Sequence, residues 1–244
     1  MKPVRIISHA AIEHPGYLCS YLEERGVCYE KIYITQGAPL PKELDDVSGL
    51  VFLGSPLSVN DTLPWIAEEL SLIRQASQKG IPVLGICFGG QLISKAFGGE
   101  IRSAPEMQIG WHRVTLSECA KDYFTNHRLM EDFFAFEWHR ETFSLPNGAL
   151  PLFNGGCIRN QGFIYKKCLA LQFHLEITKP MVNEWLAKYS DYLKNPSECT
   201  QSKEQILENI DAHLTYQQMV ANDIFSWWLD LTRDSRRSKE SLAL

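Results

Sequence analysis

The chain predicts an α/β fold built on a mostly parallel central sheet, flanked by helices, with a smaller strand-rich part and a C-terminal helical extension. Three observations carry this. Apolar β-like runs alternate with amphipathic helical stretches through the first hundred residues, the pattern of parallel strands joined by covering helices. One such run, Pro82 to Ile86, ends in a glycine-rich turn that opens a helix. The 244 residues, 45% hydrophobic and 22% charged, suffice for one large core.

Taken in order, Val4 to Ser8, Cys28 to Ile34, Gly49 to Leu53 and Pro82 to Ile86 read as strands. Between them, Gly16 to Arg25 and Trp65 to Lys79 read as helices, the second with Ile66, Leu70 and Ile73 at helical spacing. Gly26 and Gly80 follow as C-caps. After Gly99 the texture changes to short strands with turn residues between them: Gly110 to Leu116, Phe133 to Trp138, Ala149 to Phe153, Gly162 to Tyr165 and Leu169 to His174. Lys179 to Leu193 reads as a closing helix, so a catalytic domain over 1–194 is expected, followed by a helical extension over 195–244. That extension carries one apolar stripe of Ile206, Ile210 and Leu214 and a second of Val220, Ile224, Trp227 and Trp228. Either the stripes pack on the chain's own surface or they form a homodimer or partner interface.

Composition narrows the function classes. A net charge of -5 gives no reason to expect a nucleic-acid partner, and no apolar stretch reaches membrane-spanning length. The residues from Met1 to His9 are too short for a signal peptide, so the cytoplasm is the expected location. Seven cysteines, at 19, 28, 87, 119, 157, 168 and 199, show neither a Cys-x-x-Cys pair nor zinc-ligand spacing. Reduced thiols and no metal site are expected.

The chemistry centres on Gly85-Ile86-Cys87-Phe88-Gly89-Gly90-Gln91, where a strand-to-helix turn would push the Cys87 side chain into the open. Glycines without Cβ give such a turn room, and the helix start should lower the thiol pKa, with the Phe88 N–H as an oxyanion donor. A nucleophilic thiol needs a base. Two histidines have a glutamate two residues on, a spacing that puts both side chains on one face of a strand: His174 with Glu176, and His139 with Glu141. Spacing alone does not choose between them.

These stretches resemble the class I glutamine amidotransferases. The Cys87 turn looks like the family's nucleophile motif, and Gln172-Phe173-His174-Leu175-Glu176 looks like its His-x-Glu motif. The likeness extends over most of Met1 to about Tyr189, through Leu53-Gly54-Ser55-Pro56, Gln108-Ile109-Gly110-Trp111 and Phe136-Glu137-Trp138-His139, and is nearest to stand-alone, GMP-synthetase-like members. It implies a flavodoxin-like sheet and a triad of Cys87, His174 and Glu176. It also implies oxyanion donors at Gly54 and Phe88, substrate contacts at Gln91, and a pocket for the amino-acid end near His139, Arg140 and Glu141. Ser55, Leu175 and Arg140 depart from commoner family residues at their positions.

By that resemblance the substrate is glutamine or another γ-glutamyl amide, cleaved through a cysteinyl thioester without cofactor. The chain shows no Gly-x-x-x-x-Gly-Lys-[Ser/Thr] phosphate loop, so an ammonia-accepting synthetase is expected on a separate chain if ammonia is used. A free-standing γ-glutamyl peptide hydrolase is the second enzyme reading. The non-enzyme alternative is a regulatory protein that binds a γ-glutamyl ligand.

Overall fold

The computed structural model describes residues 2–41, 43–124 and 129–240; 241–244, the end of the expected extension, lie outside them. The first four strands, β1 (Val4–Ser8), β2 (Tyr29–Tyr33), β3 (Gly49–Phe52) and β4 (Val83–Ile86), fall where the apolar runs placed them. They are joined through helices α1 (Gly16–Glu24) and α2 (Pro64–Gln78), and α3 (Phe88–Ala96) follows β4. Next come β5 (Ile101–Leu116), β6 (Asp132–Phe143), β7 (Leu150–Gly155), β8 (Asn160–Tyr165) and β9 (Cys168–Leu171). Helices α4 (Lys179–Lys188), α5 (Lys203–Leu207) and α6 (Ile210–Glu240) close the chain.

The strands form one sheet in the order β2-β1-β3-β4-β9-β8-β7-β5-β6. Pairing is parallel from β2 to β9 and antiparallel from β9 outward. The parallel half thus has the strand order of a flavodoxin-like sheet, in which ligands bind beyond the carboxyl ends of the strands. Strands β3, β4 and β9 are buried throughout, as a sheet covered on both faces requires. One apolar cluster joins the sheet to α2 and α3, and another joins it to α1 and α6.

Several expected boundaries move. Strands β5 and β6 are longer than Gly110 to Leu116 and Phe133 to Trp138, because they form an edge hairpin whose outer half, with Arg102, Ser103 and Glu106 exposed, lacks an apolar alternation to read. Strand β9 ends at Leu171 rather than at His174. Beyond it the backbone peels away: Gln172 N–H donates to Gln161, and His174 N–H crosses to the Phe136 carbonyl on β6. The helix expected over Lys179 to Leu193 stops at Lys188, and a tight 3-10 turn spans Ser190–Leu193. The first stripe of the tail is split, because Asn209 takes a left-handed φ of 54° between α5 and α6, a conformation Asn tolerates.

The second stripe is core. Ile224, Phe225 and Trp228 are fully buried, and Trp228 packs so closely under β3 that a Cβ at Gly49 would lie 3.1 Å from its ring. Tyr17 on α1 donates to Asn222 Oδ1 at 2.8 Å. This face therefore offers no exposed tryptophan surface to a second copy.

The cysteines give a further correction. Cys157 and Cys199 form a disulfide, with Cα atoms 5.7 Å apart, because the segment around Cys199 runs alongside β5 and meets the β7–β8 turn. Their separation of 42 residues hid the pairing. Denatured protein should accordingly titrate five thiols (Cys19, Cys28, Cys87, Cys119 and Cys168) before reduction and all seven cysteines after it. Seven reactive thiols without reductant would refute the bridge.

Candidate active site

Cys87 stands between β4 and α3 with φ 52° and ψ -108°, a left-handed conformation unusual for a residue with a side chain. The flanking glycines do not supply that dihedral; they supply contact distance. A Cβ at Gly89 would overlap the Phe52 carbonyl, one at Gly85 the Gly89 carbonyl, and one at Gly90 the Leu171 carbonyl. Helix α3 can therefore lie directly on β3 and β9. The Cys87 N–H donates to Leu171 O at 2.8 Å, fixing the elbow to β9.

His174 and Glu176 reach the same point from the segment after β9. His174 Nδ1 lies 2.7 Å from Glu176 Oε1, and both side chains are buried. Burial opposes charge on His174, but Glu176 and Cys87 outweigh it and hold the imidazole well above its ordinary pKa. Burial pushes the Cys87 thiol up, against the pull of His174. The expected lowering by the helix start is thus overturned: desolvation is the larger effect, and the charge that opposes it is the imidazolium. The His174 ring and the Cys87 thiol each shift the other, and His174 Nε2 has no other hydrogen-bond partner among the described residues. Gln172, which the sequence reading passed over, donates from Nε2 to Cys87 Sγ at 3.8 Å.

The amides expected to face an oxyanion are available. Among the described residues, neither the Gly54 nor the Phe88 N–H has a hydrogen-bond acceptor, although both sit in buried backbone. Buried N–H groups without partners are rare. Ser55 shapes the adjoining loop by accepting from Leu57 N–H at 3.2 Å.

Gln91, His139, Arg140 and Glu141 all line the pocket that opens over Cys87. Gln91 Nε2 is engaged with the Glu141 carbonyl at 3.0 Å, which also accepts from His139 Nδ1 at 2.9 Å. The acid beside His139 is Glu137, at 3.1 Å from Nε2, rather than the carboxyl of Glu141, which accepts from Ser58 Oγ at 2.9 Å. Strand β6 runs through His139 to Phe143 instead of ending there, so His139 and Glu141 do share a face. The side chains nevertheless find different partners.

Glu13, on the loop after β1, is a second site residue that sequence reasoning missed. A Cβ at Gly54 would overlap Glu13 Oε2 and lie 3.2 Å from His174 Cε1, so carboxyl and imidazole meet at that glycine. The loop is held by Trp185, whose indole donates to Ile12 O at 2.9 Å and whose ring meets His174 edge-on. His9, at the end of β1, bridges Gly54 O and Glu69. Burial raises the Glu13 pKa from 4.5 to about 7, although His174 and His9 pull it down. Because the folded protein binds this proton more tightly than the unfolded chain, stability falls as pH rises from about 4.5 to about 7 and stays lowered above. Glu13→Gln should therefore stabilise the protein by up to about 3 kcal/mol at pH ~8 and by almost nothing at pH ~4. Denaturant melts at the two pH values check this, and an equal gain at both would refute it.

A parallel α/β sheet with a cysteine elbow and a His–Glu pair at its carboxyl edge is now in place. The family model for class I glutamine amidotransferases matches residues 16–188. The chain belongs to this family. Among the curated relatives of this amidotransferase is the glutamine amidotransferase-like protein YfeJ of Salmonella typhimurium, 30% identical over 77% of this chain and 80% of that protein. The γ-glutamyl peptidase 4 of Arabidopsis thaliana is 33% identical over 37% of this chain and 38% of that one. GMP synthases also match, and the chain spans at most 32% of their length. A solved glutamine amidotransferase from Methylobacillus flagellatus superposes with a TM-score of 0.89, at 33% identity and 95% coverage of both chains.

Proposed function

We propose that this amidotransferase cleaves a γ-glutamyl amide through a thioester on Cys87, with His174 as acid and base and Glu176 as its orienting partner. The observation that carries the reading is a buried cysteine on a strained elbow, coupled to a buried His–Glu pair and opening into a pocket. With the Cys87 proton held on His174, sulfur attacks the amide carbon, and the oxygen takes its charge between the Gly54 and Phe88 N–H groups. When the C–N bond breaks, His174 gives that proton to nitrogen, releasing ammonia or an amine. Water then loses a proton to His174, its oxygen bonds the acyl carbon, and the C–S bond breaks, restoring the thiol and freeing glutamate. Glu176 holds the Nδ1 side of the ring, which leaves Nε2 for these transfers.

Glutamine and larger γ-glutamyl amides are both within this chemistry. A larger leaving group is favoured by the aromatic wall of Trp138, Tyr189 and Tyr192 beyond Cys87, and the likeness to a γ-glutamyl peptidase supports it. The likeness to GMP synthases supports delivery of ammonia to a synthetase on a separate chain. The test is to measure ammonia release from glutamine and amine release from γ-glutamyl amides by the isolated protein. Turnover that Cys87→Ser removes supports the reading; inertness toward every γ-glutamyl amide, with and without a synthetase, overturns it.

A further inference from the structure

Two ends of the pocket differ in chemistry. At one, Gln91, His139 and Ser58 converge on Glu141, and Arg140 adds a cation to the wall. At the other, the wall is Glu13, Trp138, Tyr189 and Tyr192. The Trp138 and Tyr189 rings are 6.1 Å apart, Tyr189 and Tyr192 stack at 6.1 Å, and the buried Tyr189 hydroxyl has no hydrogen-bond partner. Glu13 is only 8% exposed, and it lines the cavity. A largely buried carboxyl that opens on a cavity is stabilised by a ligand that brings it a hydrogen-bond donor.

That end is where a departing amine must lie. His174 protonates the leaving nitrogen under the proposed reaction, and Glu13 meets the His174 ring edge at Gly54. Above about pH 7 Glu13 is ionised, and a carboxylate flanked by aromatic faces attracts an organic cation, by charge and by the ring quadrupole. The charges around Glu13 are His9, His174, Glu176 and Lys188; the Lys188 ammonium is exposed, 5.5 Å from the Tyr189 ring, and does not line the cavity.

We propose that Glu13, Trp138, Tyr189 and Tyr192 form a leaving-group subsite for a positively charged amine, so that the favoured substrates are γ-glutamyl amides of diamines. The inference rests on the proposed γ-glutamyl cleavage and narrows it. A γ-glutamyl dipeptide places a carboxylate on its leaving group, which would face Glu13 with like charge. A diamine places an ammonium there.

The experiment compares the γ-glutamyl amides of diaminobutane and of pentylamine, which have nearly the same length and differ in terminal charge, together with γ-glutamylglycine. The parent protein should favour the diamine amide in kcat/KM by at least about tenfold over either competitor, and Glu13→Gln should shrink that ratio to within about twofold. Tyr192→Ala, at the exposed mouth, should reduce the same ratio. Equal rates for the two amides in the parent, or a ratio that Glu13→Gln leaves intact, would overturn the subsite. Calorimetric titration of free diaminobutane decides independently of turnover: binding that weakens about tenfold in Glu13→Gln supports the subsite, and no binding refutes it. If no amide is cleaved while the diamine still binds through Glu13, the cleavage reading fails and the cation site stands.

Discussion

Replacing Cys87 by serine is expected to lower turnover of any γ-glutamyl amide by at least ~4 orders of magnitude while leaving the fold in place. The two side chains are nearly isosteric, and the residue is held at a left-handed φ that both must tolerate, so the thermal midpoint should move little. The loss comes from chemistry. A serine hydroxyl must be stripped of a far more tightly held proton in a site where burial already pushes the cysteine thiol up. The check is an ammonia or amine release assay on protein whose substitution is verified by mass. A second readout is intact-mass trapping: the parent should accumulate a γ-glutamyl adduct on Cys87 when quenched early with a slow amide, and the serine variant should not. Turnover at the parent level in the verified variant would remove Cys87 from the reaction.

The inner strands β3 and β4 were legible because each is short and apolar, and burial on both faces makes such runs hydrophobic throughout. The elbow was legible for a related reason: Gly85, Gly89 and Gly90 are demanded by backbone contacts with their neighbours, and that demand leaves a spacing in the sequence. What stayed hidden depends on contacts across the chain. His139 and Glu141 have the spacing of a catalytic pair, yet His139 takes Glu137, and no local pattern states which carboxyl turns toward a ring. Glu13 was overlooked because a single glutamate before His14-Pro15 carries no periodicity. Its position after β1 offered a signal, since ligands gather at the carboxyl ends of parallel strands. The Trp227 and Trp228 stripe shows the same limit from the other side. An apolar face can be read, but the sequence does not say whether it closes the chain's own core, as Trp228 does under Gly49.

His174→Ala is expected to reduce the single-turnover acylation rate by ~3 orders of magnitude or more, whereas His139→Ala should act mainly through substrate affinity. Stability cannot separate these two histidines. Each stands beside a buried glutamate, Glu176 at 2.7 Å and Glu137 at 3.1 Å, and removing either ring strands a carboxylate at a cost of about 3–5 kcal/mol. The separation must come from rate. Its physical ground is that His174 and the Cys87 thiol each shift the other, while the His139 ring turns Nδ1 to the Glu141 carbonyl and Nε2 towards Glu137, 3.1 Å away. A ring turned towards those two partners does not aim a nitrogen at the sulfur. His174→Asn sharpens the comparison, because its amide can still donate to Glu176 from near the Nδ1 position but cannot carry a proton between sulfur and the leaving nitrogen. His139→Gln does the same for the Glu137 contact. If the asparagine variant is folded and inert and the glutamine variant keeps its acylation rate, His174 is the base. The opposite ranking would move the chemistry to His139 and leave the His174–Glu176 pair as a structural contact.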